Sequence, residues 1–269
     1  MKLFKPIVLW LALVTSVSAG EVELADLLLQ SHHNNQLIPL VSLINPQLSV
    51  EQAYIVQAHY VRGRNEKLVG FKAGLTSQAV QKKFQVNQAL AGVLFASGDL
   101  SATTSLSQFQ RLMLETELGF EIGKAIRGVV ANKAELKQYI KAVLPVIELP
   151  ELGFAGKPTV VDIIAANVGS AAFIKGKPVT DLSDLDLNAL KVTLTRNGET
   201  VNVGLGRDAL GDQWQAALWL VNRLIGLGRT LEPGQFVITG AMGKMIKAEA
   251  GDYKADFGKL GVISFSIEP

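Results

Sequence analysis

Leu114-Glu115-Thr116-Glu117-Leu118-Gly119-Phe120 is answered further along the chain by Glu148, set inside the apolar run Val143-Leu144-Pro145-Val146-Ile147-Glu148-Leu149. Successive side chains on a strand point to opposite faces. Glu115 and Glu117 therefore share one face, and Thr116, Leu118 and Phe120 share the other. Two like charges side by side are costly unless a cation or a proton sits between them, and Glu148 in a hydrophobic strand raises the same problem. Three carboxylates meeting at one hard divalent ion would resolve both. A Glu-x-Glu pair on the wet face of an antiparallel sheet is the alternative that spacing alone leaves open.

Outward from this segment, short β-type runs dominate from Lys67 onward. They cover Leu68 to Lys72, Gly92 to Phe95, Leu114 to Ile122, Val143 to Leu149, Lys191 to Arg196, Glu199 to Val203, Gln235 to Thr239, Asp252 to Phe257 and Gly261 to Ile267. Asn197-Gly198, between two of them, is a type I′ hairpin signal. Helical spacing interrupts at Ser77 to Phe84, Lys133 to Ile140 and Gln213 to Leu227, the last with a broad apolar face. Many short strands with few helices predict an α+β fold built on a rolled mixed β-sheet. Before it, from Glu21 to about Arg64, the apolar spacing is helical, and Ser49 with Gln52 three residues on reads as a capping box. The chain thus divides into residues 1–19, a small N-terminal helical region over 20–66 and a β-roll domain over 67–269.

Residues 1–19 carry Lys2 and Lys5, an apolar stretch from Pro6 to Val14 and the small-residue ending Val17-Ser18-Ala19, the layout of a secretory signal peptide cut after Ala19. The apolar stretch is too short to span a bilayer, so the expected location is periplasmic or secreted, with no membrane association after cleavage. Removing two lysines leaves 24 basic residues (26 − 2) against 24 acidic ones, which argues against a nucleic-acid partner. The chain has no cysteine, which excludes thiol catalysis and cysteine-ligated metals. Its histidines, His32, His33 and His59, all precede the glutamates in helical segments, so a zinc site or a Ser-His-Asp triad is not expected; His32 and His33 read as solvated residues at a helix end.

Several motifs now combine. Val69-Gly70-Phe71-Lys72-Ala73-Gly74-Leu75-Thr76-Ser77, Gly92-Val93-Leu94-Phe95, Glu115-x-Glu117, Leu144-Pro145-Val146-Ile147-Glu148, Ala217-Leu218-Trp219-Leu220-Val221-Asn222, Thr239-Gly240-Ala241 and Gly251-Asp252-Tyr253-Lys254-Ala255-Asp256-Phe257-Gly258 follow one another in order. This series resembles the 2-keto-4-pentenoate hydratase and 4-oxalocrotonate decarboxylase group of the fumarylacetoacetase superfamily, over nearly the whole chain after residue 19. The resemblance implies a mixed β-roll and a lyase of aromatic catabolism acting on a small 2-oxo or 2-hydroxydienoic acid. It implies Mg²⁺ or Mn²⁺ held by Glu115, Glu117 and Glu148, with Lys72 as the active-site lysine. Oxygen-only ligation suits such ions, which would stabilise negative charge developing on the substrate's C2 oxygen. A homo-oligomer is compatible with the group, and no stretch of sequence specifies its interface.

The chain departs from the pattern at Ala89-Leu90-Ala91-Gly92, where hydratases typically read Pro-Asp-Phe-Gly, so Leu90 replaces an acidic residue. In Asp162-Ile163-Ile164-Ala165-Ala166-Asn167-Val168-Gly169-Ser170, Ala166 and Gly169 replace Asp and Ser, while Asn167 and Ser170 remain as expected substrate hydrogen-bond donors. Hydratase and decarboxylase both fit the triad with Lys72. Hydrolysis of acylpyruvates or other diketo acids is disfavoured because no histidine follows His59 to activate water. An exported keto-acid binder without turnover is the third class.

Overall fold

The protein is described by a computed structural model covering residues 19–100, 102–183 and 185–269. The leader expected over 1–19 lies outside the described residues except for Ala19. Helices α1 (Ala19–His33), α2 (Val41–Ile44) and α3 (Val50–Gly63) lead into strand β1 (Leu68–Gly74). There follow α4 (Gln78–Lys83), β2 (Leu90–Phe95), β3 (Asp99–Leu100), β4 (Thr103–Ser105), β5 (Met113–Ile122), α5 (Lys133–Leu136) and β6 (Ile140–Leu149). The chain continues through α6 (Val160–Ala165), β7 (Ala172–Lys175), β8 (Lys191–Arg196), β9 (Glu199–Leu205) and α7 (Gln213–Gly226) to β10 (Phe236–Ile238), β11 (Ile246–Lys247), β12 (Gly251–Asp256) and β13 (Val262–Glu268).

Local chemistry sets many of these boundaries. Ser49 Oγ accepts from the Gln52 N–H at 3.2 Å while Gln52 Oε1 accepts from the Ser49 N–H at 3.0 Å, the reciprocal cap that starts α3. Asn197 (φ 51°) and Gly198 (φ 87°) are both left-handed, as a type I′ turn between β8 and β9 requires. Two expectations needed correction. Helix α5 stops at Leu136, short of the predicted Ile140, because Ile140 pairs with Ile122 at the start of β6. The segment around Asp162, read only as a motif, forms α6. Its first turn is fixed by Asp162, whose carboxylate accepts from Thr159 N and Oγ1 and, across the molecule, from Ser42 N and Oγ.

Eight strands make the main sheet in the order β2-β1-β10-β5-β6-β7-β3, with β11 alongside β5. Since β3 follows β2 in the chain yet pairs with β7 at the opposite edge, the sheet curls back on itself. A second sheet, β4-β13-β12-β8-β9, packs against the roll. Its buried Leu194, Tyr253, Ala255 and Phe265 join the large core with α3, α6 and α7. A smaller cluster, Leu94, Leu144, Val146, Phe173, Phe236 and Ile238, fills the other face of the main sheet. This inner face also carries the charged residues, because paired residues on neighbouring strands share a face.

Candidate metal centre

The register of three strands builds the site. Glu115 on β5 lies directly opposite Glu148 on β6, and Glu117, two residues on, lies opposite Val146 on the same face. Lys72 on β1 pairs with Ile238 of β10, which pairs with Gly119 of β5, so the lysine points to that face as well. One carboxylate oxygen from each glutamate lies within 4.8 Å of the others. Among the described residues no other three His, Cys, Asp or Glu side chains converge in this way. Glu117 and Glu148 are fully buried, Lys72 is 2% exposed, and Glu115 is partly exposed, which marks the open side.

Partners are unequally shared. Lys72 Nζ forms an ion pair with Glu148 Oε1 and donates to the Val168 carbonyl at 3.0 Å. Glu117 Oε2 accepts from the Gly240 N–H at 2.7 Å. Glu117 Oε1 and Glu148 Oε2 are buried with no hydrogen-bond donor. Buried carboxylate oxygens without donors, within reach of one another, fit a bound cation. The charges agree: three carboxylates and one ammonium sum to −2, which one divalent ion neutralises. The donor set is oxygen alone, with no histidine or cysteine, and fits a small hard cation such as Mg²⁺ or Mn²⁺.

Without a cation, burial and then the Glu148 charge raise the Glu115 carboxyl to about 7, partly offset by Lys72. Burial, then Glu148 and Glu115, push Glu117 well above the ordinary carboxylate range. For Lys72 burial acts downward, but the charges of Glu148, Glu115 and Glu117 outweigh it, so the ammonium is held protonated. To ligate, Glu115 and Glu117 would each have to lose a proton, so below pH about 7 each unit of acidification should weaken Mg²⁺ binding by about tenfold or more. The sign for stability is the reverse of the usual carboxylate case. A raised folded-state value means the metal-free protein loses stability as pH climbs from about 4.5 through about 7. Calorimetric titration of Mg²⁺ between pH 6 and 8, in buffers of differing ionisation heat, reads the released proton.

The glycines flanking Lys72 make room for protein: a Cβ at Gly70 would lie 2.4 Å from the Phe236 carbonyl oxygen, and one at Gly74 would lie 2.4 Å from Val168 Cγ1. Asn167 is also reassigned. It is fully buried, its Oδ1 accepts from Val93 N at 2.8 Å and its Nδ2 donates to Val93 O at 2.9 Å, so it anchors backbone to β2. Ser170 borders a separate cavity of about 550 Å³ between the N-terminal helices and the roll, whose lining includes none of Lys72, Glu115, Glu117 and Glu148. Gly240 and Val168, by contrast, touch the charged cluster through backbone groups that no side-chain motif announces. Gly240 (φ 106°) leaves space that a Cβ would take from Thr76 Oγ1, 2.2 Å away. That close approach was the available signal, hidden in Thr239-Gly240-Ala241. Leu90 pairs with Gly74 on the same inner face and is buried, so an apolar side chain stands at the position of the family's acid.

The model of the fumarylacetoacetate (FAA) hydrolase C-terminal family matches residues 70–267. The chain belongs to the fumarylacetoacetate hydrolase family. A 2-keto-4-pentenoate hydratase from Paraburkholderia phymatum is 34% identical over 91% of this chain and 96% of its own. The "2-keto-4-pentenoate hydratase 3" of Pseudomonas putida is 30% identical over 86% of this chain and 88% of its own. Among solved structures, 4-oxalocrotonate decarboxylase from Pseudomonas putida G7, complexed with magnesium and adipate, superposes with a TM-score of 0.88 at 25% identity, covering 94% of this chain and 99% of that one. The resemblance drawn from the ordered motifs is thereby borne out, as is the α+β roll.

Proposed function

We propose that this family member is a Mg²⁺- or Mn²⁺-dependent lyase acting on short 2-oxo or 2-hydroxydienoic acids, either a 2-keto-4-pentenoate hydratase or a decarboxylase of related chemistry. The observation that carries this reading is the triad of half-buried Glu115 with buried Glu117 and Glu148, which has two orphaned oxygens and one ammonium beside it. Glu115, Glu117 and Glu148 would hold the ion. When bound, it supplies electrostatic stabilisation for negative charge on the C2 oxygen of a 2-oxo acid.

The chain's own groups supply the rest. Lys72 is the one buried lysine among the described residues, and its ion pair with Glu148 supports a role in pairing with a substrate carboxylate or passing a proton. In the hydratase case, 2-hydroxypenta-2,4-dienoate loses the proton of its C2 hydroxyl and gains one at C5. Water then adds across C3 and C4, giving 4-hydroxy-2-oxopentanoate. In the decarboxylase case the C5–C6 bond of 2-oxohex-3-enedioate breaks, carbon dioxide leaves, the pair left on C5 is delocalised through C3 and C4 to the same C2 oxygen, and the product takes up one proton, so one site serves both. The buried Leu90 contributes neither charge nor proton, so any proton required at the far carbon must come from another group or from water. Turnover of 2-hydroxypenta-2,4-dienoate, 2-oxohex-3-enedioate and acetylpyruvate should be measured with Mg²⁺ and with EDTA. Metal-dependent consumption of either of the first two is expected. Consumption of acetylpyruvate alone would overturn the lyase reading in favour of a hydrolase.

The same reading includes export, supported by Lys2, Lys5, the Pro6 to Val14 stretch and Val17-Ser18-Ala19. The N-terminus of the protein recovered from the periplasm or medium should be Gly20. Mass spectrometry showing Met1 retained on that material would contradict it.

A further inference from the structure

Lys72 is held from two sides, and the second holder is unusual backbone. Asn167 (φ 55°), Val168 (φ 56°) and Gly169 (φ 64°) are three successive residues in the left-handed region. Glycine adopts this conformation freely and asparagine tolerates it, but a β-branched valine there is an outlier. Such conformations persist only where the surroundings over-determine them, and they gather at functional sites. Here the surroundings do so. The Asn167 amide is clamped to both backbone groups of Val93, and the Gly169 carbonyl accepts from Glu151 N at 2.8 Å. Gly92 and Gly74 clear the space for the turn: a Cβ at Gly92 would lie 2.9 Å from the Asn167 carbonyl oxygen and 3.1 Å from Lys72 Cγ. The product of this arrangement is one carbonyl, that of Val168, aimed at Lys72 Nζ.

An ammonium facing three carboxylates needs no carbonyl to stay charged. It needs a fixed acceptor to stay in one place, because three similar partners leave its long side chain several alternatives. We propose that the Asn167–Gly169 turn is a positioning device for Lys72, with Asn167 and Val168 as positioning residues acting through the lysine. The consequence for catalysis rests on the lyase reading above, in which Lys72 meets the substrate.

The test uses Asn167→Ala, Gly74→Ala and the double variant Gly74→Ala/Val168→Ala in the full chain. The methyl introduced by Gly74→Ala would strike Val168 Cγ1, whereas Val168 Cβ lies 3.9 Å from the same point, so truncating Val168 removes the collision. Two readouts are needed. The first is the rate of reductive methylation of Lys72 by formaldehyde and borohydride, followed by peptide mass spectrometry, which requires no activity. The second is kcat and KM toward 2-hydroxypenta-2,4-dienoate or 2-oxohex-3-enedioate in saturating Mg²⁺. Asn167→Ala and Gly74→Ala should each raise Lys72 labelling and lower kcat by about tenfold or more, with KM changed far less, the mark of a misplaced group. The double variant should regain protection and turnover. Unchanged Lys72 labelling in both single variants, or a double variant no better than Gly74→Ala, would overturn the positioning role. A wild type inactive on both acids would overturn the lyase reading, while the labelling pattern still decides whether the turn holds the lysine.

Discussion

Lys72→Ala is expected to lower kcat by about 100-fold or more in saturating Mg²⁺, the usual size for a group that orients a substrate or moves a proton. The variant should be compared in saturating metal because removing the ammonium leaves Glu115, Glu117 and Glu148 uncompensated in its absence. Circular dichroism and the melting transition in Mg²⁺ should show the fold intact. Lys72→Arg separates the two roles. It keeps the charge but changes reach and proton affinity, so it retains oxalate binding and loses turnover if Lys72 transfers a proton, and retains both if charge alone matters. A Cβ at Gly92 would lie 3.1 Å from Lys72 Cγ, so the stem runs close along the β2 backbone and the larger guanidinium has little freedom to find a new position. Full activity in Lys72→Ala, on an acid the wild type turns over, would remove Lys72 from the mechanism.

Glu148→Gln should weaken Mg²⁺ binding by well over about tenfold, because one of three charged oxygen ligands is lost from a buried site. The amide also removes the Glu148 charge, one of the causes that raise Glu115 and Glu117 in the metal-free protein. The metal-free variant should therefore melt no lower than the metal-free wild type by more than the loss of the Lys72 ion pair dictates. What changes is the response to metal. Wild-type protein at about 100 times its Kd for Mg²⁺ gains about 2.7 kcal/mol of stability, visible as a rise in melting temperature that EDTA reverses. Glu148→Gln should lose most of that rise. Equal Mg²⁺ affinity in the two proteins would exclude the triad as the metal site.

Much of this arrangement is legible in the sequence, and the reasons are specific. Alternation on one strand put Glu115 and Glu117 on a common face, and the β5–β6 register delivers Glu148 to it. Ser49 with Gln52 and Asn197 with Gly198 are local signals, decided within four residues, and both appear as read. What escapes the sequence depends on backbone brought from afar. Strand β7 has no alternation of its own and exists by pairing with β6. Asn167 looked like a substrate donor because its amide is polar and the motif matched, yet the distant Val93 occupies that amide. The Val168 carbonyl that meets Lys72 and the Gly240 N–H that meets Glu117 belong to no side chain, so residue identity carries no trace of the first and only the glycine itself as a trace of the second.

The most direct test of the metal centre is a crystal grown with Mn²⁺ and oxalate, an analogue of the substrate's carboxylate and C2 oxygen, read by the anomalous signal of the metal. The expected result is one ion bound by Glu115, Glu117 and Glu148, with oxalate on its open side and Lys72 Nζ within hydrogen-bond reach of the oxalate. An ion bound elsewhere, or a triad with no anomalous peak at saturating Mn²⁺, would contradict it.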